Sequence, residues 1–329
     1  MHILAVDDDP SIIELLEAFV NAVGDNTIET ALCATDALDL VARSVAKPFD
    51  CILLDIQMPG TDGIELCQIL RDCPEYQETP ILMLTAMADK SYIDRAFLAG
   101  ANDYIAKPFE IDDLRGRLAL VENLVVTRKK LTENNTMGLV QPSTEALNVV
   151  VDVKPSLHEP FRIKNVDGVI GYQALENYVS LISKRELFGS SILAFSIRGI
   201  QDLFETTSGF EFECLVTDVS EALAASLEGH QFLTAYAGNG TFVCILKKGW
   251  VPDPVELTDR VNLIIHHMEL SFNDGRPMKV SVSAGDVIRL VWKSGDRAID
   301  ALAQAHESAE RESRRYGRNL EDFWYSKSA

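Results

Sequence analysis

Five residues are set apart by type and place. Asp7, Asp8, Asp55, Thr85 and Lys107 each lie at or just beyond the end of a short apolar run. The runs are 2–6, 50–54, 80–84 and 102–106. If each is a strand of one sheet, four strand ends deliver carboxylates, a hydroxyl and an ammonium to the same edge. Three carboxylates gathered there repel one another unless a dication sits among them. Hard oxygen ligands with positions left for water and phosphate suit Mg2+. A lysine facing the acids balances charge and can meet an arriving phosphoryl group as a point charge. Such an assembly suits transfer of a phosphoryl group to a carboxylate.

The elements that must position these groups are legible in the same stretch. A further run at 27–32 brings the strand candidates to five, and helical periodicity fills 10–23, 34–46, 62–72, 89–99 and a last segment from 110. Strands alternating with helices predict a doubly wound α/β domain on a parallel sheet. Ligands of such folds sit beyond the carboxyl ends of the strands, where the five residues fall. Asp9 before Pro10 is expected to cap the first helix. The last helix is expected to continue through 114–131. Leu114, Leu118, Val121, Leu124, Val125 and Leu131 form an apolar stripe suited either to packing on the sheet or to a connecting or dimer-forming helix.

A chain of 329 residues is long enough for two domains. Its net charge of −20 opposes nucleic acid and anionic membrane surfaces, so DNA binding is disfavoured. No apolar run of membrane-spanning length appears, and no secretory leader pattern opens the chain. Six cysteines without metal-ligand spacing read as small buried hydrophobes of a reducing cytoplasm. Residues 132–146 read as a linker, with 147–153 and 161–166 as a candidate hairpin opening the second domain. Beyond 167 the pattern is mixed. Strand candidates are 191–197, 231–237, 241–247 and 278–288; helix candidates are 172–185, 209–227, 254–270 and 295–314. Gly238-Asn239-Gly240 marks a tight hairpin turn.

The segments "ILAVDDDP", "CILLDIQMPGTDG", "ILMLTA" and "YIAKPF" resemble, in order and separation, the strand-end motifs of the receiver domain of two-component response regulators. The resemblance covers residues 1–125 and implies a flavodoxin-like fold. It implies that Asp55 accepts the phosphoryl group from a histidine kinase or phosphotransfer protein. Asp8, Asp55 and the backbone carbonyl of Gln57 would bind Mg2+, with Asp7 supporting the ion through its waters. Thr85 and Lys107 would hold phosphoryl oxygens, Tyr104 would serve as the aromatic rotamer switch, and Lys107-Pro108 would be cis. It further implies phosphorylation-dependent homodimerisation through the face at 89–125. The long side chains of Gln57 and Met87 are expected to hinder attack by water and prolong the aspartyl phosphate.

Residues 167–329, after a connector at 126–166, resemble a GGDEF (diguanylate cyclase) domain. "DGVIGYQALENYV", "VSVSAGDVI" and the "YGRN" that ends a helical stretch carry the likeness, which implies an α+β fold on an antiparallel sheet. The departures decide its chemistry. Where the signature has Gly-Gly-Asp-Glu-Phe, the chain has Gly238-Asn239-Gly240-Thr241-Phe242, and Tyr236 replaces the preceding arginine. The metal-binding aspartates of the first strand fall on Ser196 and Arg198. Two-metal chemistry needs carboxylates to hold its cations, so cyclase activity is expected to be absent. The inhibitory product motif would fall on Gly229 to Phe232 and is missing. Three outputs compete: contact with an unidentified downstream protein or dimerisation, which is favoured; cyclic dinucleotide chemistry; and GTP or cyclic dinucleotide sensing without turnover.

Overall fold

The computed structural model describes residues 1–22, 26–86, 90–136, 154–181, 187, 189–291 and 295–327. The chain divides into two compact units, Met1–Val149 and Val150–Ala329.

In the first unit the strands β1 (His2–Val6), β2 (Thr27–Ala31), β3 (Cys51–Asp55), β4 (Ile81–Thr85) and β5 (Asp103–Ala106) form one parallel sheet in the order β2-β1-β3-β4-β5. The helices between them are α1 (Pro10–Ala22), α2 (Ala34–Arg43), α3 (Gly63–Asp72), α4 (Lys90–Leu98) and α5 (Ile111–Thr136). This is the doubly wound, flavodoxin-like arrangement. β1, β3 and β4 are buried along their whole length because helices cover both sheet faces. Alternate residues serve alternate faces. Ile3, Ala5, Cys51, Leu53, Leu82 and Leu84 pack with Ile13, Leu16, Leu114 and Leu118 of α1 and α5. Leu4, Val6, Ile52, Leu54, Ile81 and Met83 pack with Ala37, Leu66, Leu70 and Ala96 of α2, α3 and α4. Each such large aliphatic side chain contributes about 1.5–3 kcal/mol by leaving water.

Asp9 Oδ1 accepts from Ser11 N–H at 2.9 Å, so the expected cap of α1 is in place. α5 runs to Thr136, and Leu114, Leu118, Val121 and Val125 form its buried stripe. Leu124 is not part of that stripe. It sits one residue, about 100° of helical turn, away from Val125 and is exposed beside Leu120. The side chain of Leu131 lies outside the described residues.

One polar tie was not anticipated. Arg71 near the end of α3 donates all five guanidinium N–H groups: from Nε and Nη2 to Gly100 O, from Nη1 to Tyr76 O and Thr79 O, and from Nη2 to Asn102 Oδ1. It joins the loop before β4 to the loop before β5.

The second unit contains α6 (Tyr172–Leu181), β6 (Ser191–Ile197), α7 (Ile200–Thr206), α8 (Gly209–Ser226), β7 (Phe232–Tyr236), β8 (Thr241–Leu246), α9 (Pro254–His267), β9 (Val282–Ala284), β10 (Ile288–Arg289) and α10 (Asp296–Lys327). β7 and β9 flank the central β8 and β6, every pairing in the sheet being antiparallel. The chain thus traces two interleaved βαβ units, a ferredoxin-like connectivity.

Three expectations are corrected here. The run 161–166 forms no strand; Ile163 is instead buried in the core, and its supposed hairpin partner 147–153 lies outside the described residues. The single strand read at 278–288 is split into β9 and β10, both paired with β6. The break comes at Gly285, where a Cβ would stand 2.6 Å from the backbone nitrogen of Ala309, because α10 passes there too closely for any side chain. α7 was missed, since seven residues are too few to display a helical period.

Arg71→Lys retains the charge but cannot reach the fork of acceptors. It should lower the stability of the first unit by about 2 kcal/mol, read as a lower urea midpoint; an unmoved midpoint would show that the five bonds hold nothing.

Candidate functional site

Strand register builds the site. Val6 is level with Leu54, so Asp7 and Asp55 emerge side by side one step later. Asp55 is level with Leu84, Thr85 is level with Ala106, and Lys107 N–H donates to Thr85 O at 2.6 Å. Four neighbouring strands therefore end within about one residue of each other.

Asp7 is fully buried, Asp55 nearly so, and Asp8 is exposed. One carboxylate oxygen from each lies within 4.8 Å of the others. Lys107 Nζ stands 2.6 Å from both Asp55 Oδ1 and Asp7 Oδ2. Only the bond to Asp55 is well aligned; Asp7 Oδ2 is left as a buried carboxylate oxygen without an aligned hydrogen bond. Asp7 Oδ1 accepts from Asp9 N–H at 3.1 Å, which fixes the carboxylate plane. Thr85 is buried at its strand end. Tyr104 is half-buried, its ring edge-on to Phe97 at 6.4 Å. The Gln57 side chain is exposed, and Met87 lies outside the described residues. The Lys107-Pro108 bond is cis, as the motif implied.

Burial pushes the Asp55 carboxyl above its ordinary range; Lys107 pulls it down, while Asp7 and Asp8 push it further up. Burial alone lowers the Lys107 ammonium, but its contacts with Asp55 and Asp7 outweigh this and hold it above the usual lysine value. One ammonium thus faces two buried carboxylates, and a third stands at the rim. A divalent cation fits that imbalance. The donor set is hard oxygen, one donor atom is buried without an aligned partner, and Asp8 leaves the site open to water.

Sequence reasoning gave the acids, the threonine and the lysine, but not the residue behind them. Gly63 begins α3 with its N–H bonded to Ile56 O, and a Cβ there would lie 1.9 Å from the carbonyl oxygen of Asp55. Any side chain at 63 would displace the backbone that carries Asp55. The motif contained Gly63, yet adjacency to Asp62, which caps α3, was the only local signal.

Residues 3–119 match the model of the response regulator receiver domain. They form a receiver domain. This domain is 40% identical over 118 residues to the response regulator MprA of Mycobacterium leprae, covering 36% of the present chain and 49% of MprA. It is 37% identical over 118 residues to the signal transduction histidine-protein kinase BarA of Escherichia coli, covering 36% of this chain and 12% of BarA. The chain therefore spans half or less of the length of these curated relatives. Among solved structures, the chemotaxis protein CheY4 of Vibrio cholerae is similar at 32% identity, with 36% of this chain and 97% of that one covered and a TM-score of 0.34.

In the second unit, the structure places the other flagged residues around the hairpin and β6. The turn has positive φ at Gly238, Asn239 and Gly240, as the sequence required. Tyr236 is fully buried and its hydroxyl accepts from Gly240 N–H at 3.1 Å; burial pushes the phenol up to about 12. Ser196 and Thr241 are buried facing each other across the β6–β8 pair. Arg198 is joined to its neighbours by stacking and a hydrogen bond. Its guanidinium stacks on Tyr316 at 3.6 Å and donates to Ser283 Oγ at 2.8 Å, at the wall of a cavity of about 360 Å3.

Asp8 is exposed, so Asp8→Asn should leave the receiver domain folded while removing one of the three charges at the cation site. Mg2+ affinity by calorimetry is expected to fall by about tenfold or more; equal affinities would remove Asp8 from the site.

Proposed function

We propose that the chain is a cytoplasmic response regulator of a two-component system, phosphorylated on Asp55 in a Mg2+-dependent reaction. The observation that carries this reading is the cluster of Asp7, Asp8 and Asp55, with Lys107 set between Asp7 and Asp55 and Thr85 at the adjoining strand end. The donor is a histidine kinase or phosphotransfer protein. A carboxylate oxygen of Asp55 attacks phosphorus, the bond from phosphorus to the donor nitrogen breaks, and the donor imidazole keeps that electron pair.

Asp7, Asp8, Asp55 and the Gln57 carbonyl would hold Mg2+, which supplies positive charge to the transferring phosphoryl oxygens. The residues of the chain do the remaining work. Lys107 neutralises Asp55 and Asp7 before the transfer and meets a phosphoryl oxygen after it. Thr85 bonds a second phosphoryl oxygen, and the Tyr104 ring moves toward the space that Thr85 leaves. The altered face of α4, β5 and α5 then pairs with a second copy. Among the described residues no helix is long and apolar enough to cross a membrane.

The second unit is read as a GGDEF-like domain without cyclase chemistry, acting through protein contact or self-association. Two observations support this over a nucleotide-holding output. A Cβ at Gly240 would lie 2.6 Å from Cγ1 of Ile200, so an acidic side chain where the signature carries one would have to displace Ile200. Phosphate loops work through free backbone N–H groups, whereas Asn239 N–H already donates to Leu157 O at 2.7 Å and Gly240 N–H to Tyr236.

Asp55→Asn is expected to abolish labelling by acetyl phosphate, and undiminished labelling would refute the phosphoacceptor. Incubation of the full chain with labelled GTP should give neither product nor retained nucleotide. Product would restore the cyclase reading, and retention the sensor.

A further inference from the structure

The segment 154–166 lacks regular structure, yet it is held down at Lys154, Leu157, His158, Phe161 and Ile163. The Lys154 ammonium donates to the carbonyls of Phe204 and Thr207 and stands 4.1 Å over the Phe204 ring, so it caps the end of α7. Leu157 is buried in the core, and its carbonyl accepts the N–H of Asn239. His158 Nδ1 donates to Asn239 Oδ1 at 2.6 Å. Phe161 lies against Tyr236 at 4.8 Å and Phe212 at 6.3 Å, and Ile163 is buried in the same core. The fit at the turn is close: a Cβ at Gly238 would approach His158 O to 2.5 Å.

Asn239 is the one non-glycine residue of the turn, and its φ of 52 places it where only glycine sits without cost. Its backbone and its side chain both bond to residues 157 and 158. The turn is therefore closed by the segment that opens the second unit. α5 ends at Thr136 and the segment begins at Lys154, with 137–153 as the covalent path between them. A force transmitted along that path acts first on Lys154, Leu157 and His158, and through them on the turn.

We propose that residues 154–166 form a strap that holds the 238–240 turn shut, and that the state of the receiver domain reaches the second unit by loosening this strap. The loosening step rests on the phosphoacceptor reading; the strap itself does not. Released, the strap uncovers the Asn239 N–H and the faces of Tyr236 and Phe212. The output surface is thereby hidden in the unphosphorylated chain.

The test is hydrogen exchange on the full chain, followed by mass spectrometry. In the Lys154→Met/His158→Ala double variant, whose two side chains lie at or near the surface, peptides spanning 237–242 should exchange at least tenfold faster while those of α8 stay unchanged. Equal exchange in the variant and the native chain would overturn the strap. Mg2+ and beryllofluoride added to the native chain should slow exchange around Asp55 and speed it at 237–242. Slowing at Asp55 with an unaltered turn would overturn the relay. No change at Asp55 would sink the phosphoacceptor reading and the relay with it, leaving the strap to the double variant.

Discussion

A single ammonium set against buried carboxylates governs the receiver domain. Lys107 is 2.6 Å from two acids that sit at the end of a sheet whose central strands are buried along their whole length. The sheet interior offers those charges nothing, so each must be met at the edge by the lysine, by backbone N–H or by solvent and ions. That restriction explains the register. Were β1 or β3 shifted by one residue, an aspartate would enter the space that now holds Val6 or Leu54, and the faces that pack on α1 through α5 would exchange places. Packing and chemistry are thus set by one alignment.

The balance remains incomplete with protein groups alone. Asp55 lies above the ordinary carboxylate range, chiefly because it is buried, and the lysine corrects this only in part. A dication would add the missing positive charge, and a phosphoryl group, leaving the acceptor with close to two negative charges in place of one, would increase the demand for it. With protein groups alone the pocket is thus short of positive charge, and its balance shifts with each cation or phosphoryl group that enters. This is the physical basis for a site that responds to occupancy rather than simply tolerating it.

Much of the first unit was legible because its signals are local and period-based. Apolar runs of strand length gave β1 to β5 to within a residue or two, and Asp9-Pro10 gave the start of α1. The strand-end rule then brought Asp7, Asp8, Asp55, Thr85 and Lys107 together without any side-chain geometry. What escaped were relations between distant backbones. Nothing near Arg71 announces that two loops will converge on its guanidinium, and nothing near Gly63 announces the carbonyl of Asp55 behind it. In the second unit, the hairpin was visible from its glycines. The break at Gly285 was not, because its cause is a helix some twenty residues downstream. The run at 161–166 has strand-like composition but takes its shape from the core that receives Ile163.

The contact between Gly240 and Ile200 limits what the turn of the second unit can accept. Placing an acidic side chain at 240 by itself would drive it into Ile200, whereas trimming Ile200 first would strip packing from beneath the turn. Neither single change is an improvement over the present pair. An acidic turn at this place thus requires both positions to change together, so Gly240 and Ile200 restrict the hairpin jointly rather than one at a time.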